Sequence, residues 1–138
     1  MSAGVIEQLE AADQSALPLR FQIDPLPGTD KVHRIIVSDQ EEFPIALTQS
    51  EDELLCMVRL FALDEVPESQ LQSLYATLLT GNLSLPFSSF GITQDACYLF
   101  GSLSSRSDTT IILQEIVALA DNTVQALELV EPFLQQEK

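Results

Sequence analysis

The sequence predicts an α+β fold, a single domain over residues 1–138 in which an antiparallel sheet carries packed helices, in the order α-β-β-β-β-α-β-β-α. Three observations carry that expectation. Residues 2–16 and 108–131, with a shorter stretch after Pro67, repeat apolar residues at three-and-four spacing, the period of a helix. Between them lie short segments whose apolar residues alternate or run together, separated by Gly-, Pro- and Asp-rich turns. Finally, residues 85–105 read as two strands joined by a tight turn at 93–95, so the sheet is completed only after the middle helix.

Each element follows from its residues. Val5, Ile6, Leu9, Ala12 and Ala16 form one face of the first helix and Glu7, Glu10 and Asp13 the other, with Ser2 as the expected cap and Pro18 as the stop. In 18–24, Leu19, Phe21 and Ile23 alternate with Arg20, Gln22 and Asp24, the pattern of a strand with one wet face. The turn chemistry of 24–30 returns the chain as a second, antiparallel strand over 31–38. A third strand covers 43–48, with Pro44 at its start, where a missing donor is tolerated. Residues 54–61 are nearly continuous in apolar side chains, which predicts a strand covered on both faces, at the sheet centre or beneath a subunit contact.

Pro67 is expected to open the second helix, with Leu71, Leu74, Tyr75, Leu78 and Leu79 as its stripe and Gly81 as its stop. Gly91 and Gly101 mark bends or close backbone approach in the two strands that follow. Ser105 to Asp108 loosely match a capping box. The last helix has Ile112, Ile116, Leu119, Thr123, Leu127 and Val130 as its main stripe, broadened by Ile111, Val117 and Val124, and Pro132 ends it.

Composition narrows the function. A formal net charge of −15 from 21 acidic and 6 basic side chains argues against nucleic-acid binding and against unaided docking on anionic lipid. No apolar run reaches the roughly 20 residues of a membrane span, and the N-terminus lacks the basic start and apolar core of a signal peptide, so the expected location is cytoplasmic with no direct membrane insertion. Cys56 and Cys97 lie in apolar strand patterns and read as small buried hydrophobes. With no CxxC, no Cys/His cluster, no glycine-rich phosphate loop and no EF-hand spacing, no metal or other cofactor is expected.

The catalytic vocabulary is thin. His33 is the single histidine, and a small enzyme or ligand-binding protein would have to use it with Cys97, Cys56 or a serine. None of the serines sits in a G-x-S-x-G or S-x-x-K motif. Nine acids between 39 and 68, with Arg59 as the one cation among them, read as a solvated acidic edge that discourages strand pairing with other chains. The sharper reading of the charge is a basic partner or an acidic mimic of nucleic acid. An apolar surface beyond what one sheet and three helices can cover points to an interface, and the residues nominated for it are Leu55, Met57, Arg59 and Phe61, rimmed by Glu51, Asp52 and Glu53.

The segments Phe43-Pro44-Ile45, residues 85–91, residues 98–104 and Leu119-Ala120-Asp121-Asn122 resemble the bacterial YjfI-like family of small acidic proteins. The resemblance spans nearly the whole chain and is densest over 84–129. It carries no catalytic residues. It implies genomic company with a homologue of phage-shock protein A, a membrane-remodelling coiled-coil protein, and so an envelope-stress setting. The element order also resembles type III secretion chaperones and YbjN-like proteins, which are small, acidic, dimeric α+β binders of protein segments. The chain departs from them by an extra strand before the second helix. The expected function is therefore a non-enzymatic, chaperone-like, homodimeric adaptor for a protein partner.

Overall fold

A computed structural model describes residues 4–28 and 32–134; the cap expected at Ser2 and the turn and strand start at 29–31 lie outside the described residues. The elements are helix α1 (Val5–Ala11), strands β1 (Phe21–Pro25), β2 (Val32–Val37), β3 (Ile45–Gln49) and β4 (Glu53–Ala62), helix α2 (Leu71–Gly81), strands β5 (Ser89–Ile92) and β6 (Ala96–Ser104), and helix α3 (Thr109–Val130). All six strands form one sheet in the order β1-β2-β3-β4-β6-β5, antiparallel at every pairing. The expected α+β class and element order are those observed.

The helices α1 and α3 cover one face of the sheet, and α2 lies against β5. Between them sits the core: Ile35 and Val37 from β2, Ile45 and Leu47 from β3, Leu54, Cys56 and Val58 from β4 and Leu99 from β6 meet Ile112, Ile116 and Leu119 of α3. Both outer edges are plugged by side-chain amides. Gln14 donates to the Phe21 carbonyl at 3.0 Å and accepts from its N–H at 2.8 Å; Asn82 accepts from the Phe90 N–H at 2.6 Å. These bonds occupy outward-facing backbone groups of Phe21 and Phe90 on the two edge strands.

Several expectations shift, each for a local reason. The first helix ends at Ala11, not at Pro18, because Asp13 folds back to accept from the Ser15 N–H at 2.9 Å and starts a turn. Single 3-10 turns at Leu63–Glu65 and Glu68–Gln70 intervene before α2, so Pro67 precedes a turn rather than the helix itself. Leu79 leaves the α2 stripe and is 70% exposed. At α3 the cap is Asp108, which accepts from the Ile111 N–H at 3.0 Å; Ser105 does not fill that role. Strand β4 is interior but not covered on both faces: Leu54, Cys56 and Val58 face the helices, and Leu55 and Met57 are half-buried on the open side.

The close approach expected at Gly101 is real. Glu115 of α3 lies directly on it, so that a Cβ built there would stand 1.7 Å from the Glu115 Oε2 and 3.1 Å from the Phe87 carbonyl oxygen. Glu115 is only 6% exposed, and its Oε2 has no hydrogen-bond partner. Burial pushes its carboxyl up to about 7.

Candidate functional site

Alternation along β4 sends Leu55, Met57 and Arg59 to the side of the sheet that no helix covers. Register assembles their neighbours. Met57 stands opposite Ala46 on β3 and Phe100 on β6; Leu55 stands opposite Thr48 and Ser102; Arg59 stands opposite Tyr98. Val32, Arg34 and Ile36 continue the same face across β2. The result is an apolar and aromatic strip, half-buried by its own cross-strand neighbours, with Arg34 and Arg59 exposed along it. A trough of about 230 Å³ runs over Val32, Ala46, Met57 and Tyr98 between the two arginines.

The nominated residues do not all gather there. Phe61 is 3% exposed and faces the helices, because the ladder shifts between Arg59 and Phe61 and turns both Leu60 and Phe61 inward. Glu51, Asp52 and Glu53 are exposed at the β3–β4 turn, where the Ser102 hydroxyl donates to the Glu53 carboxylate. They fringe one end of the open face. Sequence reasoning missed Tyr98, Phe100 and Arg34; the alternation of β6, with Cys97 and Leu99 inward and Tyr98 and Phe100 outward, is the signal that could have found them.

A second surface was not foreseen. Leu79, Leu83 and Phe87, from the end of α2 and the loop after it, are 70%, 90% and 79% exposed. The loop is held, not loose: Asn122 of α3 donates to the Pro86 carbonyl at 2.7 Å and to the Ser88 hydroxyl at 2.9 Å. Phe87 has φ +69°, a left-handed conformation that a bulky residue adopts only under constraint. Its signal in the sequence is a run: residues 69–94 contain no charged side chain, in a chain of net charge −15.

The groups available for catalysis are kept apart. His33 stands opposite Leu47, which stands opposite Cys56, so two strand spacings, roughly 9–10 Å, separate the imidazole's strand from the nearer cysteine's. Cys97 is a further strand away. Burial pushes both thiols up to about 12, with the Glu115 carboxyl adding to the effect at Cys56. Neither supplies thiolate at neutral pH. Among the described residues no group of three His, Cys, Asp or Glu side chains is placed to hold a metal ion, and no helix is long and apolar enough to cross a membrane.

Residues 5–134 match the family described as "Uncharacterized protein conserved in bacteria (DUF2170)". The chain belongs to this family. No curated protein matches it. Among solved structures, it is similar to a chain of the heterodimeric ExoU–SpcU complex from the type III secretion system of Pseudomonas aeruginosa, with TM-score 0.57 and 18% identity over 78% of this chain and 88% of that one. At that identity the likeness is one of fold. It agrees with the chaperone-like architecture expected from the element order.

Proposed function

We propose that this DUF2170 protein is a non-enzymatic, chaperone-like protein-binding module whose working surface is the open face of its sheet. The observation that carries the reading is the one-sided covering of the sheet: helices bury one face, and the other presents Leu55, Met57, Tyr98 and Phe100 to solvent. An apolar strip of this kind gains affinity by removing area from water, at about 25 cal/mol per Å². The fold shared with a chain of a heterodimeric secretion complex supports a protein as the occupant. Glu51, Asp52 and Glu53 at its end would act on approach rather than on affinity.

Homodimerisation is supported by the uncharged surface around Leu79, Leu83 and Phe87, where two strongly acidic chains approach with least repulsion. A cytoplasmic site of action and a phage-shock-protein-A homologue as partner are supported by composition and by the YjfI-like motifs.

The test is affinity capture from native lysate with wild type, Leu55→Glu/Met57→Glu, and the triple reversal of Glu51, Asp52 and Glu53 to lysine. The reading expects one stoichiometric protein partner, lost in the first variant. With the second, association slows and its salt dependence flattens. Equal capture by wild type and Leu55→Glu/Met57→Glu, with circular dichroism unchanged, would refute the open face as the working surface.

A further inference from the structure

We infer that a second binding site, distinct from the open sheet face, takes a cationic amphipathic helix of a protein partner. It is a groove of about 510 Å³ between the loop joining β2 to β3 and the C-terminal third of α3, within the size range of ligand sites, roughly 300–1,000 Å³. Its floor is apolar: Phe43 and Leu127 are half-buried there and Val124 is exposed. Its rim is formed by Asp39, Glu41, Glu42, Glu128 and Glu131, and among the described residues no lysine, arginine or histidine lines it.

Three features set this groove apart from a merely solvated acidic surface. The first is the composition of its two walls. Both segments that build it come from cation-free runs, since no Lys, Arg or His lies between Arg34 and Arg59 or between Arg106 and Lys138. Within these runs the five carboxylates have no cationic neighbour; Glu41 accepts from the Asp39 N–H and lines an adjoining cleft with Arg20, while Asp39, Glu42, Glu128 and Glu131 face the groove with no cation lining it among the described residues. The second is the helix end. Glu128 and Glu131 occupy the last turn of a 22-residue helix and its C-cap, with no basic residue in that turn. The helix macrodipole favours positive charge there and disfavours these carboxylates. A cation held at the groove relieves both the mutual repulsion and the unfavourable dipole interaction.

The third is rigidity. The loop is pinned by hydrogen bonds from the Gln40 N–H to the Val37 carbonyl and from the Phe43 N–H to the Gln40 carbonyl, both 3.0 Å. The Gln40 side-chain amide donates across to the Ala120 carbonyl of α3 at 3.2 Å. The groove walls are thus tied to each other before anything binds, which lowers the ordering cost of association. An apolar floor under a wholly anionic rim selects an occupant with one apolar and one basic face. A bare polyamine would satisfy the rim and leave the floor wet.

The probe is a fluorescein-labelled helical peptide of leucine and lysine, about 14 residues and so about 21 Å long, titrated with the full chain by anisotropy. The inference expects saturable binding that weakens between about 0.05 and about 0.5 M salt. Glu42→Gln/Glu128→Gln/Glu131→Gln should weaken it at least tenfold, and Val124→Asp likewise, with circular dichroism unchanged. A leucine/glutamate peptide should not bind, and spermine should compete no better than its ionic strength requires. Undiminished binding by the triple glutamine variant overturns the site. So does a shift of that variant from dimer to monomer without peptide, which would make a second copy the occupant. Leu55→Glu/Met57→Glu separates the two readings: it should bind the peptide as wild type does, and loss of the peptide there would overturn the groove while leaving the open face standing.

Discussion

Glu115→Gln isolates a buried carboxyl group whose Oε2 has no hydrogen-bond partner among the described residues. In the unfolded chain Glu115 titrates near its ordinary value of 4.5; in the folded chain burial pushes it up to about 7. Below the unfolded value both states hold the proton and no penalty arises. As pH rises through the interval, the unfolded chain releases its proton while the folded chain keeps it, so stability falls with pH, by about 1.4 kcal/mol per unit. Above pH 7 the penalty levels off at about 3 kcal/mol, the 2.5 units between the two values converted at about 1.36 kcal/mol each. Glutamine keeps the shape over Gly101 and does not titrate. The stability of Glu115→Gln minus that of wild type should therefore rise by about 3 kcal/mol between pH 4 and pH 8, whatever its constant offset. Urea unfolding followed by far-ultraviolet circular dichroism is the assay, because the chain has no tryptophan. With a slope of about 2 kcal/mol per M, the midpoints should separate by about 1.5 M over that range. General repulsion from the net charge of −15 acts on both proteins and cancels. Curves that stay parallel from acid to neutral pH would refute the assignment of an ionisation cost to this buried group.

Further outcomes follow from single contacts. Gly101→Ala places a methyl group against the Glu115 carboxyl and should cost roughly 1–3 kcal/mol by overpacking; combined with Glu115→Ala much of that loss should disappear, which a double-mutant cycle in urea measures. Asp108→Ala removes the cap of α3 and should lower stability by about 1 kcal/mol in the same assay. Phe87→Gly relieves the positive φ without removing a buried side chain, and should raise stability by up to about 1–2 kcal/mol while weakening any self-association seen by sedimentation. Cys56 and Cys97, both buried with thiols pushed up to about 12, should react with a thiol reagent in native protein only as fast as the chain opens, and at once in denaturant.

The elements were legible where one period dominated. The stripe Ile112, Ile116, Leu119, Thr123 is spaced as only a helix would have it, and α3 runs where that pattern runs. Strand order was not legible, since nothing local says that β6 inserts between β4 and β5. The open face was half legible. Alternation placed Leu55, Met57 and Arg59 together and would have added Phe61, but one irregular residue between Arg59 and Phe61 reverses the side on which the chain faces. A bulge is an outcome of pairing with a partner strand, and a single strand's composition does not contain it. The continuous apolar run of β4 placed the strand inside the sheet, where it lies, but no helix of the same chain covers its second face. A central strand on an open face is shielded by its neighbours' side chains, here Ala46 and Phe100 around Met57, so it tolerates apolar residues that no helix covers.

Charge, taken as a map instead of a sum, orders the surfaces. A net −15 spread evenly would serve solubility alone. It is not spread evenly. The open sheet face carries two arginines along an apolar strip, the surface around Leu79 and Phe87 derives from 26 consecutive uncharged residues, and the groove under α3 is rimmed by five carboxylates with no cation among the described residues. Like charges gathered at a helix C-terminus and uncharged leucines at 70% and 90% exposure each cost stability or solubility, and neither is needed to hold the sheet together. Three surfaces of different electrostatic character lie on one small chain, and of these the anionic rim of the groove most strongly repels an acidic segment. If the open face and the groove each take a protein segment, as proposed, one rigid chain holds two at once without a moving part.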